Sequence, residues 1–113
     1  MQGNGLSGIN IIDAHGHLGN NLANGWYIEK TGYRELLEGR LASMNRLGIS
    51  RMIASGLEAL FGDPVSGNIS LERETAFCRD RVSGYYVYNP IYSQKITTEE
   101  LETRFSGSCF VGI

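Results

Sequence analysis

At 113 residues the chain has the length of one compact domain rather than two. Its 42% hydrophobic and 19% charged residues describe an ordinary globular protein and exclude a disordered one. The 10 basic and 12 acidic residues leave a net charge of -2 and form no long runs, so neither nucleic acid nor an anionic membrane surface is an expected partner.

The first five residues, Met1 to Gly5, lack the basic and apolar regions of a signal peptide, and no apolar stretch approaches a membrane span. A cytoplasmic location is therefore expected. Ile9-Asn10-Ile11-Ile12-Asp13-Ala14-His15 is rich in β-branched residues and predicts a first strand. A polar, glycine-rich loop is expected from Gly16 to about Tyr27. Tyr33, Leu36, Leu37, Leu41, Met44 and Leu47 recur at helical spacing, with Thr31 placed to cap the start and Gly48 to end the helix. Met52-Ile53-Ala54 predicts a buried second strand, followed by a loop from Ser55 to about Asn68.

Leu71, Thr75, Cys78 and Val82 again show helical spacing, and Gly84 is expected to end this second helix. Arg73, Arg79 and Arg81, interspersed with Glu72, Glu74 and Asp80, read as its solvated face. Tyr85-Tyr86-Val87-Tyr88 predicts a third strand with tyrosines buried on both faces, stopped by Asn89-Pro90. Thr97 and Glu100 form a capping-box pattern for a third helix, with Ile96 stapled onto Leu101. Cys109 to Ile113 begins a fourth strand. The two cysteines, Cys78 and Cys109, match no metal or redox spacing and read as small buried hydrophobes.

The order β-α-β-α-β-α-β argues for an α/β fold with a parallel sheet and external helices. No linker divides residues 1–113, which read as a single domain. Because the chain ends inside the expected fourth strand, it reads as truncated. A full eightfold barrel needs roughly 250 residues, and this would be its N-terminal portion of about four parallel strands and three helices. A small open four-stranded sheet is the alternative.

Chemistry is written most plainly in Asp13-Ala14-His15-Gly16-His17. Residues two apart on a strand share a face, so His15 and His17 project together at the strand's C-terminal end. Two imidazoles suit a divalent metal, zinc above all, although zinc normally takes three or four protein ligands. Such a pair also occurs by chance, with a histidine bonded to backbone. The metal reading is preferred because these are the only histidines, they close the first strand, and the pattern around them is βα. Asp13, of the same parity and one step deeper, is expected to orient a ligand histidine or hold the strand end rather than bind metal. Trp26 and Tyr27 lie in the following loop, where they either stack on a planar substrate or simply pack the loop down. Phe61 and Asp63 are expected at the same rim, Asp63-Pro64 being more a turn starter than a catalytic acid.

Ile11-Ile12-Asp13-Ala14-His15-Gly16-His17-Leu18-Gly19 resembles the opening of the amidohydrolase superfamily, in its amidohydrolase-related branch. Met44-Asn45-Arg46-Leu47-Gly48-Ile49, Gly67-Asn68, Gly84 to Pro90 and Phe110 to Ile113 are similar to later landmarks of that branch. The resemblance implies a metal-dependent (β/α)8 TIM barrel that hydrolyses C–N or C–O bonds of a small-molecule substrate, or decarboxylates or hydrates small acids. It implies that His15 and His17 are metal ligands, and that the remaining ligands and the catalytic base lie beyond Ile113. The chain by itself is then expected to be inactive. A metal-dependent nuclease or phosphoesterase on a similar barrel is a second enzyme reading. A non-catalytic α/β protein with structural histidines is a third. Unpaired strand edges predict self-association into a homo-oligomer.

Overall fold

The computed structural model describes residues 8–19 and 33–113. Four strands form one parallel sheet in the order β1-β2-β3-β4: β1 is Ile11–Leu18, β2 Ile49–Gly56, β3 Val82–Tyr85 and β4 Phe110–Gly112. Between them lie α1 (Tyr33–Leu47), α2 (Leu57–Phe61), α3 (Pro64–Glu74) and α4 (Thr98–Phe105), with single 3-10 turns at Ala76–Cys78 and Pro90–Tyr92. The α/β class and the parallel sheet agree with the sequence reading.

Each connection steps to the next strand in the same direction, and a right-handed crossover puts every helix on the same face. The core lies there. Leu18, Met52, Ala54, Val82 and Phe110 of the strands bury against Leu37 and Met44 of α1 and Leu71 of α3, with Leu101 of α4 packed alongside. A fully buried leucine such as Leu37 or Leu71 contributes roughly 1.5–3 kcal/mol. On the other face the register pairs Ile12 with Arg51 and His17 with Ser55. Ile12 is 54% exposed, His15 and His17 are exposed, and no described helix packs over them.

Several boundaries differ from expectation. β1 starts later than predicted and runs on to Leu18, so Gly16 and His17 belong to the strand and not to the loop. The predicted α1 is found and ends at Gly48, whose φ of +75° suits a glycine; its expected cap Thr31 lies outside the described residues.

The predicted loop from Ser55 to Asn68 instead holds α2 and the first half of α3. Asp63 caps α3, its Oδ1 accepting from the Val65 amide at 2.9 Å, with Pro64 in the first turn where its missing N–H costs nothing. Gly67 is required on α3: a Cβ there would overlap the backbone of Ala59 on α2. The helix predicted around Leu71 to Val82 stops at Glu74, where the Thr75 hydroxyl donates to the Leu71 carbonyl at 2.7 Å. Val82, Ser83 and Gly84 are therefore strand, and β3 begins three residues before the predicted Tyr85.

Arg79 and Arg81 are not on a solvated helical face. Arg79 donates to the Glu72 carbonyl at 2.6 Å and so covers the end of α3. Arg81 donates to Asn45 Oδ1 and to the Ile49 and Ser50 carbonyls at 2.8 to 3.1 Å, joining the end of α1 to the start of β2. Only Arg73, paired with Glu74, keeps the predicted exposed role. Thr97 caps α4 through the Glu100 amide at 3.1 Å, but the Glu100 carboxylate turns to Arg104 (3.4 Å) instead of closing the capping box. No helix of the described residues is long and apolar enough to cross a membrane.

Candidate metal centre and its pocket

β1 carries an irregularity at the position where the chemistry sits. Asp13 pairs with Met52 and Gly16 with Ala54, so three steps on β1 oppose two on β2. The extra residue makes a bulge, which frees an amide from the ladder and re-aims the side chains beyond it. Asp13 answers the freed group: its Oδ1 accepts from the His15 backbone N–H at 3.0 Å. Asp13 thereby holds the backbone at His15. The bulge also takes Asp13 out of the alternation that relates His15 to His17, so the expected shared parity does not hold.

His15 lies within this irregularity, and from it to His17 the alternation resumes. His15 Nε2 and His17 Nε2 approach to 3.2 Å, with ring centroids 5.0 Å apart and the rings nearly perpendicular. A neutral imidazole has one N–H and one bare nitrogen. The contact is thus either an N–H···N bond or two lone pairs directed at a shared cation. Two nitrogens on one tetrahedral zinc ion stand about 3.3 Å apart, from bonds of ~2.0–2.1 Å. The Nε2 separation is close to that spacing.

Gly16, between the two histidines, faces the opposite way. A Cβ there would sit 2.5 Å from Met52 Sδ, so the Met52 side chain fills the space that a side chain at this position would need. The small residue between the histidines is a packing requirement of the same strand that presents them.

His15 borders a pocket of about 380 Å³ at the C-terminal ends of the strands, walled by Ser55, Tyr85, Tyr86, Val87, Tyr88 and Ile113. The tyrosines are not the doubly buried strand predicted. Tyr86 is buried, its ring 5.5 Å from Phe110 and 5.8 Å from Phe105, whereas Tyr88 is 44% exposed. Burial, with the charge of Glu100 adding to it, pushes the Tyr86 phenol above its ordinary value. Phe61 and Asp63 line a separate small groove with Leu57, Glu58, Gly62 and Ser66. Asn89 serves its turn, accepting from the Ile91 amide at 3.0 Å. Trp26 and Tyr27 lie outside the described residues.

Sequence reasoning missed Asn68, which is fully buried on α3. Its Nδ2 donates to the Val87 carbonyl and its Oδ1 accepts from the Val87 amide, both at 3.0 Å. A polar residue beside Leu71 on a helical face was the available signal. Among the described residues no group of three or more His, Cys, Asp or Glu converges on one point. No family model matches the chain, and no curated protein or solved structure matches it.

Proposed function

We propose that the chain is the N-terminal part of a metal-dependent hydrolase, or related lyase, on a (β/α)8 barrel of the amidohydrolase type. His15 and His17 are read as two of its metal ligands. The observation that carries this reading is the 3.2 Å approach of the two Nε2 atoms, with His15 bordering a pocket at the C-terminal strand ends. Strand order adds support. A doubly wound sheet reverses direction and covers both faces, whereas the sequential order here gathers the helices on one face, as a barrel requires.

His15 and His17 would hold a divalent ion, zinc being the best chemical fit, and it would supply Lewis acidity toward a substrate carbonyl and toward water. The chain's own residues position and enclose. Asp13 fixes the backbone of His15, Gly16 leaves room for the Met52 side chain beneath the histidines, and the tyrosine wall excludes solvent from one side of the substrate. No lysine or arginine is among the described residues lining the pocket, which favours an uncharged acyl or amide group over a phosphoester.

The test is a calorimetric titration of zinc into the native chain and into a His15→Ala/His17→Ala variant. Two imidazoles supply about half the ligands of a structural zinc site, so roughly 5–7 kcal/mol is expected, a Kd of roughly 10–200 µM. Binding should vanish in the double variant and weaken on acidification, because protons compete for the same nitrogens. Equal binding by both proteins would refute the assignment.

A further inference from the structure

β2 and β3 part company at the pocket. β2 ends at Gly56 and turns at once into α2, while the chain after β3 continues extended through Tyr86, Val87 and Tyr88. On the β4 side the ladder persists, with the Tyr86 amide donating to the Gly112 carbonyl at 2.8 Å. On the β2 side no strand remains, and Val87 presents both an N–H and a C=O there. An unmet backbone pair at a buried edge is costly. Asn68 meets it: one side-chain amide supplies a donor and an acceptor, each at 3.0 Å, in place of the missing strand.

We infer that Asn68 is a positioning residue for the pocket, a side chain that continues the β2 edge and fixes the Tyr86–Tyr88 wall opposite His15. The inference rests on the pocket being the functional site, as proposed above. Asn68 does not line the pocket itself and acts through Val87, which does. Its own placement depends on Gly67, whose lack of a side chain lets α3 close onto the Ala59 backbone. The Gly67-Asn68 pair is thereby one device: the glycine admits the helix and the asparagine holds the wall.

The experiment is amide hydrogen exchange on the full chain, native against Asn68→Leu and Asn68→Asp. Leucine keeps the volume and removes both bonds, so exchange at Val87 should rise roughly 10- to 100-fold over the native chain while Met52 and Ala54 in β2 change far less. Aspartate separates the two-point contact from simple packing. When protonated it again offers one donor and one acceptor, and its Val87 exchange relative to native at the same pH should approach 1. When ionised it loses the donor, and the ratio should rise toward that of leucine. Zinc titrated into Asn68→Leu should bind as it does to the native chain, because the histidines keep their strand. A uniform rise across β1, β2 and β3, no rise at Val87, or an aspartate ratio insensitive to its protonation would each overturn the inference. Failure of the native chain to bind zinc would count against the metal reading alone.

Discussion

Replacing Gly16 with alanine adds one methyl group between the two histidines, and its cost can be worked from the packing. The new carbon would stand 2.5 Å from Met52 Sδ and 2.8 Å from Met52 Cγ, against ordinary carbon contacts of about 3.5–4.0 Å. One partner must move by roughly 1 Å. Met52 is 1% exposed and has no solvent to retreat into, although its unbranched side chain yields more readily than a β-branched one. Overpacking of this kind costs about 1–3 kcal/mol. The lost freedom of glycine in the unfolded chain returns about 0.4–1 kcal/mol. A net destabilisation of about 1–2 kcal/mol is expected, which lowers the urea midpoint by roughly 0.5–1 M. Met52→Ala alone should cost more, about 2–5 kcal/mol, by opening a cavity. In the double variant the added methyl fills part of that cavity, so the two costs should fall short of their sum by about 1 kcal/mol. Urea unfolding of the four proteins measures this directly. An unchanged midpoint for Gly16→Ala, or additivity within about 0.5 kcal/mol, would show that the β1–β2 contact is not where the structure puts it.

The alkaline side of the stability profile follows from burial. Burial raises the phenols of Tyr33 and Tyr86 above 10.0 and the thiols of Cys78 and Cys109 above 9.0. The unfolded chain therefore releases these protons first as pH climbs. Their contribution to stability is whole below the ordinary values and is lost as pH rises through the folded ones. Urea midpoints should fall between about pH 8 and pH 11, and a flat profile there would contradict the burial of these groups. In the described sheet β1 and β4 are the outer strands, and Val111 on β4 is 58% exposed. Edges of this kind pair readily with another chain. Self-association by light scattering is expected, and a monodisperse monomer would count against it.

The sequence was most legible where local preference and global packing agree. β1 follows from its β-branched run, α1 from an apolar spacing closed by Gly48, and the start of α4 from Thr97. The histidine pair was legible for the same reason: strand alternation is local, and it relates His15 to His17 across Gly16 even beside the bulge. α3 failed the same test. Ser66-Gly67-Asn68 has the composition of a turn, yet it is helical because Asp63 and Pro64 start the helix and α2 leaves room only for a glycine. β3 was displaced because Leu71, Thr75, Cys78 and Val82 happen to keep a helical period past the true stop at Thr75. The bulge in β1 and the inward turn of Arg79 and Arg81 depend on partners distant in sequence, and no local pattern announces them.

Some of the misread positions share a logic. Asp13 at the bulge and Asn68 on α3 each set a polar group against a backbone that its own secondary structure leaves unpaired, and each backs one wall of the same pocket. Gly67 removes a side chain where α3 closes on the Ala59 backbone, and Gly16 leaves room for the Met52 side chain beneath the histidines. A residue that local preference disfavours persists only when something else depends on it, and such conflicts gather at functional sites. Here Asp13 and Asn68 hold His15 and Val87, two residues that line the same pocket. Both therefore point to the same end of the sheet as the 3.2 Å imidazole contact does.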